Sequence, residues 1–223
     1  MALTGTGAPG TTPLVTFTPP SLTFANVPLN TASASQNSTL TNTGAAPLTI
    51  TGIAASGTVT GDFAQNNNCP VSPATIAVNG TCTITVTFTP TSTINQTGAV
   101  TVTDNTPNGT DLLALSGYGV APEVNLSTTS LAFGSQAHGT TSAAKTVTLE
   151  NSGSLALTIN SITATSNYNI VNNNCPSSLG PGLTCTFGVT FSPTTTGTDN
   201  GYAIIGDNAG DSPQFITLTG TGT

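Results

Sequence analysis

Apolar and polar residues alternate with a period of two along much of this chain. In Cys82-Thr83-Ile84-Thr85-Val86-Thr87-Phe88 every even position is apolar and every odd position between them is threonine. A second segment places Cys185, Phe187, Val189 and Phe191 on one face, with Thr186, Gly188 and Thr190 opposite. Strands of this kind bury one face and wet the other, as in an antiparallel sandwich. The pattern predicts further strands over 14–18, 35–42, 48–53, 99–103 and 112–115, and again over 124–127, 144–151, 157–162, 202–205 and 215–218. Asn-Thr-Gly, Asn-Ser-Gly, Pro-Asn-Gly and Asn-Ala-Gly-Asp segments lie between them, rich in residues that suit turns. No segment has helical periodicity.

The two sets of strands belong to an internal repeat. Ser21-Leu22-Thr23-Phe24 returns as Ser130-Leu131-Ala132-Phe133. Thr41-Asn42-Thr43-Gly44 returns as Glu150-Asn151-Ser152-Gly153, and Asn66-Asn67-Asn68-Cys69-Pro70 returns intact as Asn172-Asn173-Asn174-Cys175-Pro176. Leu115-Ser116-Gly117-Tyr118-Gly119 returns as Leu218-Thr219-Gly220-Thr221-Gly222. The offset between copies falls from 109 to 103 across the cysteine region, where the second copy is shorter. Two modules of about a hundred residues follow, each of ordinary domain size. Roughly seven short strands per module, with frequent turns, predict two tandem immunoglobulin-like antiparallel β-sandwiches and an all-β chain. The modules are expected over 11–120 and 121–223. Residues 1–10 are read as the last strand of a preceding repeat, or a linker, because Leu3-Thr4-Gly5-Thr6-Gly7 matches the motif that closes each module.

Composition narrows the partners. Only 4% of residues are charged although 36% are hydrophobic, so surface polarity rests on Thr, Ser and Asn. The formal charge is −7, with a single lysine (Lys145) and a single histidine (His138). One cation cannot neutralise a run of phosphates, so nucleic acid is not an expected partner. It cannot form a polybasic membrane patch either, and no apolar run is long enough to span a bilayer. The first residues lack the basic and apolar regions of a secretory signal, so any export signal is expected outside this segment.

Four cysteines fall as one pair per module, Cys69 with Cys82 and Cys175 with Cys185. A disulfide within each module is the simplest reading and fits an oxidising compartment. Zinc would need four ligands at one site, and each module has two thiols without a pair of histidines.

Leu-x-Phe near the start, Asn-x-Gly before Leu-x-Ile, Cys-Pro leading into Cys-Thr-Ile-Thr-Val-Thr-Phe-Thr-Pro, and a terminal Leu-x-Gly-x-Gly occur together. In this combination the chain resembles the Hydin-like (ASH) immunoglobulin-like repeats and the choice-of-anchor D modules of bacterial exported proteins. The resemblance implies an architectural role and carries no activity with it.

A few other residues are of types that can carry chemistry. His138 lies in a loop with no nucleophile to serve, so the reading is an exposed histidine and not an enzyme. Lys145 beside Glu150 invites an intramolecular isopeptide bond, but that needs a buried lysine, and the favoured reading is an exposed one. Asp207, Asn208 and Asp211 share one turn, and Asp104, Asn105 and Asp111 nearly do. They are weak calcium candidates against ordinary turn chemistry, and no other cofactor is expected. Asn37, Asn79, Asn95, Asn108 and Asn125 match the N-glycosylation pattern.

These readings converge on a structural or interaction module of an extracellular or cell-surface repeat protein: a stalk, spacer or filament subunit. Its partners are neighbouring repeats or further copies, with strand addition through Leu3, Thr4, Gly5, Thr6 and Gly7 as one route of assembly. The alternative is an adhesin or carbohydrate-binding accessory module.

Overall fold

The alternating segments form strands that stack as two layers in each half of the chain. The computed structural model describes residues 11–223, which divide after Val120. The first module contains β1 (Val15–Thr18), β2 (Ser21–Pro28), β3 (Gln36–Asn42), β4 (Ile50–Gly57), β5 (Phe63–Asn67), β6 (Thr81–Phe88), β7 (Asn95–Asp104) and β8 (Thr110–Val120). One sheet has the order β1-β3-β6-β5 and the other β2-β8-β7-β4. The second module contains β9 (Val124–Leu126), β10 (Ser130–Gln136), β11 (Lys145–Asn151), β12 (Leu157–Ala164), β13 (Tyr168–Val171), β14 (Ser178–Leu179), β15 (Thr184–Phe191), β16 (Gly197–Asp207) and β17 (Gln214–Gly222). Its sheets run β9-β11-β15-β13 and β10-β17-β16-β12-β14.

The sheets are not wholly antiparallel. β2 runs parallel to β8, and β10 runs parallel to β17. The cause is local: after β1 the chain passes through Pro19 and Pro20 and resumes in the other sheet. There β2 lies beside the last strand, not beside its own neighbour in sequence. A bulge interrupts both parallel ladders, after Phe24 in one module and after Ala132 in the other. β5, β13 and the short β14 also add to the strands that alternation predicts, while Leu48 stands before β4 as an isolated bridge to Ile76.

Each module has its own core. In the first, Leu40, Ile84, Val86, Phe88, Val100 and Leu113 are fully buried. In the second, Val147, Leu149, Phe187, Phe191, Ile205 and Ile216 take the same role. Three aromatic rings anchor each core. Phe63 stacks on Phe88 at 4.7 Å with Phe24 alongside, and Tyr168 stacks on Phe191 at 4.9 Å with Phe133 alongside. The Tyr168 hydroxyl donates to the Asp199 carbonyl at 2.9 Å; burial, reinforced by the Asp199 charge, pushes the phenol up to about 12.

The closing motif explains itself in this setting. A Cβ on Gly117 would stand 2.5 Å from the Phe88 ring, and one on Gly220 would stand 2.5 Å from Phe191. The second glycine of the motif, Gly119 or Gly222, similarly receives the Ser92 or Thr195 carbonyl. One glycine admits the core ring and the other admits the passing loop.

Gly117→Ala should therefore cost about 1–3 kcal/mol by overpacking. Gly52→Ala is the control, since its Cβ would meet only Thr103 Oγ1 at 4.0 Å. Urea denaturation of both variants should shift the first module's midpoint for Gly117→Ala alone.

Candidate functional site

The cysteine region is built alike in both modules. Cys69 bonds Cys82, and Cys175 bonds Cys185. The second cysteine of each pair sits on the inward face of a core strand, β6 or β15. The asparagine runs before the first cysteine hold the approach in place. Asn67 Oδ1 accepts the Cys69 amide at 3.0 Å and Asn68 Oδ1 accepts the Thr83 amide at 2.7 Å. Asn173 and Asn174 make the same bonds to Cys175 and Thr186. In the first module this run is partly strand, since β5 extends to Asn67. These asparagines serve the backbone, and no chemistry gathers around them.

A second asparagine, not singled out from the sequence, ties together three pieces of each module. Asn42 is fully buried at the end of β3. Its Oδ1 accepts the amides of Gly44 at 3.1 Å and Leu14 at 3.5 Å. Its Nδ2 donates to the carbonyls of Ala46 at 2.8 Å and Ile76 at 3.1 Å. Asn151 repeats this with Gly153, Glu123, Leu155 and Leu179. The incoming chain, the Asn-x-Gly turn and the loop before the cysteine strand thus meet on one side chain. Parity carried the signal: Asn42 shares the inward face with Ser38 and Leu40.

The remaining sequence candidates stay apart. Asp207, Asn208 and Asp211 lie in the β16–β17 hairpin, each already engaged. Asp207 Oδ1 accepts the Ala209 amide at 2.7 Å, Asn208 Oδ1 accepts the Thr158 amide at 2.7 Å, and Asp211 Oδ1 accepts Gln214 Nε2 at 2.8 Å. Among the described residues no three His, Cys, Asp or Glu side chains cluster as metal ligands. Lys145 is exposed and its Nζ donates to the Ala132 carbonyl at 2.6 Å, while Glu150 accepts from Asn125 at 3.3 Å. Gln36, the counterpart of Lys145, makes the matching bond to the Thr23 carbonyl at 2.7 Å. Lys145 is a strand-to-strand tie, and the isopeptide arrangement is not formed. His138 is exposed, with its backbone amide donating to the Thr223 carbonyl at 2.9 Å. All five glycosylation-pattern asparagines are exposed. Leu3, Thr4, Gly5, Thr6 and Gly7 lie outside the described residues.

Residues 13–117 match the model of the HYDIN/CFA65/VesB-like, Ig-like domain. The first module is a HYDIN/CFA65/VesB-like Ig-like domain. The second repeats it in sequence, strand order and disulfide. No curated protein sequence matches the chain. Solved structures similar to this Ig-like pair include a protein of unknown function from Porphyromonas gingivalis W83, with 12% identity over 93% of this chain and 99% of that one, at a TM-score of 0.39. The ASH / PapD-like domain of human CEP192 is 15% identical over 45% of this chain and 84% of that one, at a TM-score of 0.34. The VesB protease of Vibrio cholerae is 10% identical over 72% of this chain and 62% of that one, at a TM-score of 0.35.

One surface differs between the two Ig-like modules. Tyr202 and Phe215 are 47% and 51% exposed and meet edge to face at 5.8 Å on the outer side of β16 and β17. A groove of about 340 Å³ beside Phe215 is lined by Asn125, Thr129, Asp211 and Gln214. The first module has Ala99 and Leu112 at the positions of Tyr202 and Phe215.

Asn42→Ala should destabilise the first Ig-like module by about 3 kcal/mol, because it strands several buried backbone groups at once. Reduction of Cys69–Cys82 should cost a similar amount, about 3 kcal/mol, by freeing the unfolded chain. Calorimetry with and without reductant measures both effects on the same transition.

Proposed function

We propose that the chain is a stretch of an extracellular or cell-surface array of Ig-like modules, acting as stalk, spacer or filament through folded stiffness and contacts between modules. The observation that carries this reading is the closing motif. Gly117 and Gly119 in one module, and Gly220 and Gly222 in the other, are spaced to receive a core ring and a loop carbonyl. Gly5 and Gly7, in Leu3-Thr4-Gly5-Thr6-Gly7, repeat that spacing. This segment is therefore suited to complete a module of the same kind, either one preceding it or one in another copy.

Two features support a place outside the cytoplasm. Both modules are pinned by a disulfide, which persists in oxidising surroundings. Their surface polarity comes from neutral hydrogen-bonding side chains. Three residues separate β8 from β9, and their backbone is already engaged: Ala121 O accepts the Ser154 amide and Glu123 O the Ser152 amide, each at 2.9 Å. So short and occupied a connection supports a spacer role.

Light scattering and electron microscopy of residues 1–223 and 11–223 test the proposal. Self-association of the longer chain, lost on removing residues 1–10, is the expected outcome for strand addition. Monomeric elution of both chains, with the first ten residues open to protease, would count against it.

A second reading, as an adhesin or carbohydrate-binding module, is favoured by the exposed Tyr202–Phe215 pair beside a groove lined with amide and carboxylate groups. Aromatic faces next to such groups suit sugar rings. Saturable binding on a glycan array, abolished by Phe215→Ala, is the result this reading expects; no binding across the array removes it.

A further inference from the structure

Four buried side-chain oxygens lack a hydrogen-bond partner among the described residues: Gln96 Oε1, Asp104 Oδ2, Asp207 Oδ2 and Gln214 Oε1. Three of the four sit at one place in the repeat. Asp104 and Asp207 end the penultimate strand of their modules; Asp111 is the second residue of the last strand in module one, and Gln214 the first in module two. In register, Asp111 lies opposite Val102 and Gln214 opposite Ile205. By strand alternation, Asp104 shares a face with Val102 and Asp207 with Ile205. Asp104 with Asp111, and Asp207 with Gln214, are thus diagonal neighbours across the same hairpin, on its inward face.

The other acceptor of each aspartate is occupied. Asp104 Oδ1 and Asp207 Oδ1 each accept a backbone amide at 2.7 Å, from Thr106 and Ala209. What remains is a pair of oxygens without a donor in module two, Asp207 Oδ2 and Gln214 Oε1, and a single one in module one, Asp104 Oδ2, beside Asp111, whose Oδ2 accepts from the Thr106 hydroxyl at 3.1 Å. An unpaired buried acceptor is costly, so something positive or donating belongs there. Rotating the Gln214 amide does not supply it, because Nε2 already donates to Asp211 Oδ1 at 2.8 Å. The first module has no amide at that position at all, since Asp111 stands there. A hard cation prefers six or more oxygens, whereas a proton needs two.

We propose that each module folds around one retained carboxyl proton at this hairpin: Asp207 donates it to Gln214 Oε1, and Asp111 donates it to Asp104 Oδ2. Two carboxyl groups in module one, and a carboxyl with an amide in module two, solve the same problem with one hydrogen. The electrostatics agree. Burial raises the Asp207 carboxyl, with the Asp211 charge adding to it against the Ala209 amide and Ser212 hydroxyl. Burial also raises Asp111, followed by the charge of Asp104, against the Thr106 hydroxyl. Among the described residues no cation offsets either pair: Lys145 is held on the Ala132 carbonyl and His138 lies in the loop after β10.

The sign of the pH effect follows. A carboxyl raised in the folded state contributes stability that is complete below its unfolded value and is lost as pH rises through the folded one. These modules should therefore lose stability between acid and neutral pH.

Carbon-13 titration of the aspartate carboxyls in the intact chain reads the protons directly. Asp207 and Asp111 are expected to titrate above the ordinary aspartate range. Asp207→Asn and Asp111→Asn place an amide donor where the proton sits. Each is expected to raise the melting temperature at pH 7 by a few degrees and to shrink its fall between pH 5 and pH 7. Titration of both carboxyls in or below the ordinary range would overturn the proposal. So would calcium shifting both carboxyl signals at pH 7 and raising the melting temperature, with both effects lost in the Asn variants, which would mark a cation site. The carboxyl titration uses the unaltered chain, so it decides the matter even if a variant fails to fold.

Discussion

One buried asparagine per module holds the entrance to the fold. Asn42 and Asn151 have a carboxamide with two donors and an accepting oxygen, and each spends them on backbone groups from separate segments. In a core of aliphatic and aromatic side chains, those backbone groups would otherwise be stranded away from water. The asparagine fixes where the incoming chain lies, how the Asn-x-Gly turn bends and where the next loop crosses. Everything downstream, including the disulfide, starts from positions that this side chain has set.

The scarcity of charge gives the molecule its second character. Threonine and asparagine take over the work that ion pairs do elsewhere. Thr16 meets Thr43 and Thr58 meets Thr97 across strands, both between hydroxyls. Gln36 and Lys145 occupy equivalent positions and make equivalent bonds to a carbonyl, so charge is incidental there and donor geometry is what matters. Such a surface changes little with salt. Its response to pH is concentrated in a handful of carboxyl groups.

Sequence alternation made most of the fold legible. Segments such as 82–88 state their buried face in every second residue, and the repeat doubles the signal. It is silent where a strand carries few inward apolar side chains, as β5 does with Phe63 and β13 with Tyr168 and Ile170, among asparagines that read as loop. β2 was hidden for a different reason: its Leu22 and Phe24 are soon followed by a bulge, and its parallel partner lies at the far end of the module in sequence. Asn42 and Asn151 close the expected strands 35–42 and 144–151, but Asn-x-Gly is a turn signal in its own right and hides their part as buried ties. The hairpin acids could be listed from sequence, but which oxygen of each lacks a partner is a property of register alone.

The parallel ladder between β2 and β8, with its counterpart between β10 and β17, sets how a module carries tension. A load that enters near the start of β2 and leaves at the end of β8 pulls these two strands past each other in opposite directions. Their backbone hydrogen bonds, spread from Ser21 opposite Ala114 to Pro28 opposite Val120, then strain together and must yield together. An antiparallel pair pulled from its open end would instead release its bonds one after another, like a zip. The crossing of the first strand from one layer to the other thus turns an ordinary sandwich into a clamp loaded in shear.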